Sequence, residues 1–393
     1  MPSLDRRAFV SGSLATVAMS GLSGCTGSPF GGTDYERIIG APTPQSGPLA
    51  TAGQAGLRGM KVGIDAVNNS SGEDVSLELK DGEGAPKPAR NVVQESISNN
   101  VPAVTGTFSS DVSIALSNLA ESEEFPFMTA ISGAPEVTDE GDEFTFRMAA
   151  NTYQQCKGTM EYWKAEGIEN IAVLAADYSY GQSVLNYIKE YASAYGQSLQ
   201  YSTLIPLNTS SFTPALRQIP TKEINGVLFA FPGGNGPTLV SQARQQGMFD
   251  AVENVLGFNS YGTVVFKQAL EKEITGLRTW SVALDDERAK KATDMMLERF
   301  GVRMDALSLP NFDAVTLISR AMEAADELTP SGIRNAIADT DYHAASGYDV
   351  RFNEKGENTK YRMVIGQWEE VDGGIVNVPK YQTKPLAPTK EPQ

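Results

Sequence analysis

Hydrophobic and polar positions along this chain change period repeatedly. Glu36 to Pro42 is a short apolar run, which predicts a strand. Between Gly53 and Asn69, Leu57, Met60, Ile64 and Val67 recur three or four residues apart, as one face of a helix does. Val75 to Lys80 alternates Val, Leu and Leu against Ser, Glu and Lys, the period of a strand. Pro86 to Asn99 reads as a helix with proline near its start, where a missing N–H is harmless. Val101 to Gly106 follows as a strand, Asp111 to Glu123 as a helix and Pro126 to Ala130 as a strand.

The pattern then restarts. Helices are expected at Asn151–Glu166, Tyr180–Tyr195, Phe212–Ile219 and Gly236–Gly247, between strands at Asn170–Ala176, Leu199–Leu204, Gly226–Phe231 and Asn254–Phe258. Two more helices, Asp286–Phe300 and Asn311–Glu327, precede a strand pair at Tyr348–Phe352 and Tyr361–Trp368. Strand–helix alternation of this kind predicts an α/β fold with parallel sheets covered by helices on both faces. The seam between the two α/β units falls near residues 148–152.

The first residues obey another rule. Arg6 and Arg7 form a twin-arginine pair, and an uncharged stretch runs from Ala8 to Leu22 before Leu22-Ser23-Gly24-Cys25. The stretch is too short and too mild for a spanning helix, which needs about 20 strongly apolar residues. The segment resembles a twin-arginine lipoprotein signal peptide, residues 1–24, with Cys25 as the lipidated residue of a lipobox. Residues 25–35 are then a Gly- and Ser-rich tether. The protein is expected outside the cytoplasm, held at the outer face of the cell membrane by lipid on Cys25.

Charge and rare residues narrow the function. The chain has 393 residues, 32 basic and 48 acidic, for a net charge of −16. Such a chain has no basic face with which to neutralise nucleic-acid phosphates. Acidity of this degree keeps a surface hydrated in saline surroundings. Together with the leader, it is similar to the habit of haloarchaeal lipoproteins. Asn69 and Asn208 each open an Asn-x-Ser glycosylation triplet. One histidine and two cysteines leave almost nothing for a His/Cys metal site, and no cofactor is expected. His343 has no nucleophile signature around it and reads as a surface or satisfied histidine. Cys156 reads as a small packed residue. Gly233-Gly234-Asn235-Gly236 lacks the Lys-Ser/Thr of a phosphate-binding loop.

Small polar residues gather instead where strands give way to helices. These junctions are Ser46-Gly47-Pro48, Thr107-Phe108-Ser109-Ser110, Ile131-Ser132-Gly133, Asp177-Tyr178-Ser179-Tyr180-Gly181 and Pro232 to Asn235. In open parallel sheets, ligands sit outside the carboxyl ends of the strands. Bare N–H groups at helix starts suit a carboxylate there, although a serine at a helix start is equally a simple N-cap.

With these stretches go Asp81 with Pro86-Lys87-Pro88-Ala89, Gly106 to Ser110, Pro135-Glu136-Val137-Thr138, Phe146-Arg147 and Tyr180-Gly181. Ser211-Phe212, Ser241-Gln242-Ala243-Arg244, Asp313-Ala314-Val315 and Phe352-Asn353-Glu354-Lys355-Gly356 follow in order. From about Ile38 to Gln367 the chain resembles the type I periplasmic solute-binding proteins of ABC transporters, in the branched-chain amino-acid receptor branch. The resemblance implies two Rossmann-like lobes joined by a three-strand hinge, with the ligand between them. Residues 36–150 and 277–343 would form the N-terminal lobe, 151–276 and 344–378 the C-terminal lobe, and 379–393 a flexible tail.

It also implies a site. Ser110 matches the serine that holds the ligand carboxylate. Ser132 and Gly133 match an Ala-Thr pair that meets carboxylate and ammonium, and glycine leaves only backbone contacts there. Tyr180 matches a tyrosine that closes over the ligand. Asn235 stands where the family has an ammonium-binding glutamate, and Ala52 where it has an aromatic. An uncompensated buried ammonium is unfavourable by several kcal/mol or so. The ligand is therefore expected to be larger than leucine, or an amide, urea or organic acid, unless Asp177 or another carboxylate serves as partner. The expected function is binding of a branched-chain amino acid or a related small polar solute (amide, urea or organic acid) in the interlobe cleft and its delivery to an ABC permease. The alternative is presentation of the ligand to a membrane chemosensory transducer. Enzymatic turnover is not expected.

Overall fold

A computed structural model describes residues 35–47, 49–72, 74–139, 143–232, 234–282 and 286–392. The leader, Cys25 and nearly all of the tether lie outside the described residues.

The first half runs β1 (Ile38–Thr43), α1 (Ala50–Ser71), β2 (Ser76–Asp81), α2 (Pro86–Ser98), β3 (Ala103–Thr105), α3 (Ser110–Glu123), β4 (Phe127–Thr129) and β5 (Thr145–Arg147). The pattern recurs in α4 (Thr152–Ala165), β6 (Asn170–Ala176), α5 (Ser179–Tyr191), β7 (Ser198–Ile205), α6 (Thr213–Leu216), β8 (Gly226–Ala230), α7 (Gly236–Gln245), α8 (Met248–Ala251), β9 (Asn254–Gly257), α9 (Val264–Leu270) and β10 (Arg278–Ser281). Then come α10 (Glu287–Phe300), α11 (Ser308–Ala324), α12 (Pro330–Ala338), β11 (Tyr342–His343), β12 (Asp349–Val350), β13 (Val364–Val371) and β14 (Gly374–Gln382).

Local chemistry sets several boundaries. Helix α1 stops where Gly72 takes φ 72°, and its N–H closes on Asn68 O. Helix α4 opens with a capping box: Asn151 accepts from Gln154 N, and the Gln154 side chain accepts from Asn151 N. Helix α10 is capped by Asp286, which accepts from Arg288 N at 2.8 Å. Strand β8 is buried throughout and β6 at all but its first residue, as fits strands covered on both faces.

The first sheet is ordered β2-β1-β3-β4-β5, all parallel. The second contains the same doubly wound order, β7-β6-β8-β9-β10, extended by β13 and β14. Strand β13 pairs antiparallel with β10, and β14 antiparallel with β13. Two α/β lobes therefore share one topology, with three chain crossings between them: after β5, after β10 and before β13.

Helix α11 packs against α1 across three glycines. A Cβ on Gly59 would lie 1.9 Å from Ser308 O, and one on Gly63 would lie 2.4 Å from a Val315 methyl. Among the described residues, no helix is long and apolar enough to cross a membrane.

Three expectations need correction. The strand expected at Tyr348–Phe352 does not pair with the one at Tyr361–Trp368: β12 pairs with β11, while β13 joins β10 and β14. Residue 277 does not open the N-terminal lobe, because β10 is hydrogen-bonded to β9 in the second sheet. The tail is not free. Residues 379–382 complete β14, and the chain then lies along α4 with Leu386 only 1% exposed. Its backbone carbonyls explain why: Gln154 donates to Leu386 O, Asn151 to Pro388 O, and Lys157 Nζ to Ala387 O and Thr389 O.

Candidate functional site

In each sheet the chain leaves the first strand in opposite directions, so a crevice opens between β1 and β3 and another between β6 and β8. The loops at these strand ends face each other across the cleft. Gly106, just after β3, holds φ 95°, and a Cβ there would stand 3.0 Å from Thr43 Oγ1 at the end of β1. That buried hydroxyl has no hydrogen-bond partner among the described residues.

Ser110 is the first residue of α3 and is 1% exposed. Its Oγ accepts from Ala134 N at 3.2 Å, tying the helix start to the loop after β4. The first helical bond runs from Ser113 N to Ser109 O, so the amides before it point out of the helix end. Ser132 lies in that same loop, but its hydroxyl turns inward. It sits 2.5 Å from Ser113 Oγ, which is 2.7 Å from Thr107 Oγ1, and it donates to Phe108 O. Its backbone N–H donates to Thr129 Oγ1 at 3.2 Å, so Ser132 shapes the loop from within. Gly133 O accepts from Thr152 N and Thr152 Oγ1, which pins the loop to the start of α4.

One residue holds this loop in shape. Arg147, fully buried at the end of β5, donates to Ser132 O, Ala134 O and Thr138 Oγ1. Its Nε is 3.1 Å from Glu357 Oε1, and Glu357 comes from the crossing before β13. A planar guanidinium suits this task because its five donors have fixed directions.

Tyr180, at the start of α5, comes from the other lobe and is 2% exposed. A Cβ on Gly133 would stand 2.8 Å from Tyr180 Cε2, so glycine is what lets the ring close onto the loop. Tyr180 OH donates to Gln155 at 2.9 Å, and burial pushes its pKa well above the usual tyrosine value. The ring packs 4.9 Å from Phe258, which meets Phe108 at 6.4 Å edge to face. Asp111 accepts from Ser179 Oγ across the same junction. The cleft is closed.

Beside this junction lies a cavity of about 140 Å³. Ala52, Ala55 and Leu307 line one side, and Gly234, Pro237 and Ser260 the other. Among the described residues, no charged side chain lines it. Ala52 therefore stands where room for a ligand side chain is expected. Asn235 does not join the group. It precedes α7, and its Nδ2 donates to Thr209 O at 2.8 Å, fixing the loop before α6. Asp177 is exposed and accepts from Gln182, so it does not replace a missing ammonium partner in the wall.

The structure thus brings Ser110, Ser132, Gly133 and Tyr180 together and leaves Asn235 at the edge. Sequence reasoning missed Arg147 as the loop's anchor, although an arginine in an otherwise apolar strand was a usable signal. It also missed Thr43 and Ser260, whose hydroxyls no sequence pattern marks. His343 lies 2.8 Å from Asp349 and 3.1 Å from Asp286, whose hydrogen bonds raise its pKa, so it is a satisfied surface residue. Cys156 is fully buried, and burial pushes its thiol up, away from any nucleophilic role.

The family described as periplasmic binding protein matches residues 38–374. A Leu/Ile/Val-binding protein homolog 8 of Brucella melitensis is 25% identical over 367 residues, covering 86% of this chain and 89% of that protein. Two solved structures share the fold. A solute-binding protein of an ABC transporter from Rhodopseudomonas palustris, in complex with 3,4-dihydroxybenzoic acid, superposes with a TM-score of 0.81 at 19% identity. It covers 89% of this chain and 98% of its own. The leucine-binding protein LivK from Thermotoga maritima superposes with a TM-score of 0.78 at 21% identity, covering 88% and 99%.

Proposed function

Since this chain belongs to the periplasmic binding protein family, we propose that it captures a small carboxylate between its lobes and hands it to an ABC permease. The mechanism is binding and closure, with no bond chemistry. One observation carries the reading. The outward amides of α3 are tied through Ser110 to the Arg147-held loop at Ser132–Gly133, onto which Tyr180 closes, and the interlobe cavity has no charged side chain among its described lining residues. Amides at a helix start favour an anion. An apolar wall without a carboxylate favours an organic acid, or an amide of similar size, over a zwitterion whose ammonium would be left unpaired.

Leucine-like amino acids remain the natural comparison, because the Brucella relative is named for them. The Rhodopseudomonas neighbour, solved in complex with 3,4-dihydroxybenzoic acid, supplies the organic acids of the same panel. Anchoring by lipid on Cys25 would keep the receptor beside its permease, and two or more chains there would give a firm hold.

The test is a thermal-shift screen followed by titration calorimetry. The panel holds leucine, isoleucine, valine, phenylalanine, tyrosine, benzoate, hydroxybenzoates, short amides, urea and short organic acids. A ligand at one hundred times its dissociation constant should add about 2.7 kcal/mol of stability. Ser110→Ala should weaken a carboxylate by about 1–3 kcal/mol, since it loosens the helix start from the loop and removes a buried polar contact. Equal affinity in wild type and variant would remove Ser110 from the site and, with it, the placing of a carboxylate at the start of α3.

A further inference from the structure

At the wall of the interlobe cavity stands a serine hydroxyl that no described residue uses. Ser260, in the short 3-10 turn Asn259–Gly262, is 2% exposed and lines the cavity, yet its Oγ has no hydrogen-bond partner among the described residues. Buried hydroxyls are nearly always paired, and an exception calls for a reason. The rest of the turn is fixed. Thr263 donates to Ser260 O at 2.8 Å and caps α9 by accepting from Phe266 N. Tyr261 stacks on Phe266 at 4.3 Å. The side chain of Ser260 is therefore held at the cavity wall by its neighbours and not by its own bonding.

The cavity around it is apolar. Ala52, Ala55, Leu307, Val265 and Phe266 make most of the wall. Its volume of about 140 Å³ is close to the roughly 150 Å³ of an apolar protein cavity that holds one benzene ring. The turn also follows Phe258 directly, and Phe258 packs on both Tyr180 and Phe108. The start of α3 thus offers amides to an anion, and the interlobe cavity offers a ring-sized, mostly apolar space with hydroxyls at Thr51, Ser260 and Thr263, of which Thr263 is spent on the α9 cap and Thr51 is exposed.

We infer that Ser260 is the specificity-determining residue for the far end of the ligand. It hydrogen-bonds a hydroxyl or carbonyl on a ring or branched body seated in the cavity. The inference rests on the reading above that the ligand's carboxylate lies at the start of α3. It adds the class of ligand: a carboxylate whose apolar body ends in a hydrogen-bonding group.

The experiment compares probe pairs that differ by one distal hydroxyl, benzoate with 4-hydroxybenzoate and phenylalanine with tyrosine. Each is titrated into the full chain and into Ser260→Ala. The wild type should prefer the hydroxylated member, and Ser260→Ala should lose about tenfold or more of that preference while binding the plain member as before. Ligand-free Ser260→Ala should melt no lower than the wild type, because the hydroxyl has no internal partner to lose. Two results overturn the inference: a preference unchanged in Ser260→Ala, or a variant that melts several degrees lower. Ser110→Ala separates the two readings. Probes that bind without depending on Ser110, or no binding of any probe, sink the carboxylate reading and this inference with it. Binding that depends on Ser110 but not on Ser260 sinks this inference alone.

Discussion

Single residues carry unusual duties here, and Asp313 shows how. It lies fully buried on α11 and accepts from Ala345 N, Ser346 N, Ser346 Oγ and Tyr342 OH. Burial dominates those bonds and pushes its pKa from 3.8 up to about 6. A carboxyl with a raised folded pKa binds its proton more tightly when folded. Its contribution to stability is full below pH 3.8 and is lost as pH rises through about 6. The gap corresponds to about 3 kcal/mol. Denaturant unfolding of wild type and Asp313→Asn, compared from pH 7 to pH 4, should show the wild type gaining on the variant by up to that amount on acidification. A wild type that loses ground to the variant on acidification would mean that the four hydrogen bonds outweigh burial. Arg147 is the opposite case. It is buried and charged, but its donors are matched by Glu357, Thr138 and two carbonyls, and the matching is what lets a charge sit beside the site.

At the scale of elements, what matters is which pieces are tied down. The C-terminal segment after β14 reads as a loose end in composition, yet it supplies the carbonyl acceptors for Asn151, Gln154 and Lys157 on α4. Helix α4 begins at the first crossing between lobes, so the segment braces the place where the chain passes from one to the other. Ending the chain after Gln382 should leave those buried donors unpaired, at about 1–3 kcal/mol each, and calorimetric melting should fall by many degrees. Ending it after Thr389 keeps every one of these acceptors. It removes only exposed contacts such as Lys390 with Glu190, and melting should stay where it is. Equal melting of the two truncations would show that the segment braces nothing.

At the scale of the whole molecule, function depends on how easily the lobes part. The closed cleft is joined by Tyr180 over Gly133, by Phe108 against Phe258 and by Asp111 with Ser179. The last is a polar latch between α3 and α5. Removing it should leave each lobe intact and shift the free protein toward an open form. Small-angle scattering of ligand-free Asp111→Ala should give a larger radius of gyration than wild type. Saturating ligand should bring the two together, at an affinity about fivefold weaker or more, since Asp111 accepts from both Ser179 Oγ and Ser179 N and each lost bond is worth about 1 kcal/mol. An unchanged radius and affinity would mean that aromatic packing alone holds the cleft shut.

Much of this was present in the chain before any tertiary contact. Strand β6 falls on the expected Asn170–Ala176, and helices α2, α3, α4 and α10 lie within a residue or two of expectation, because hydrophobic period and capping are local properties. Alternation alone gave parallel sheets, and the motif order gave the two-lobed fold. The pairing of β13 with β10 and β14, the packed tail and the lobe that takes β10 were not legible, because non-local hydrogen bonds leave no period in the sequence. The site divided in the same way. Ser110, Gly133 and Tyr180 stood out as junction residues. That the Ser132 hydroxyl joins a buried chain of hydroxyls while the Ser260 hydroxyl, at the cavity wall, has no partner among the described residues was decided only by folding. A side chain's partner depends on what three-dimensional packing sets against it: Ser113 and Phe108, 19 and 24 positions away, for Ser132, and Ala52 of the other lobe across the cavity from Ser260.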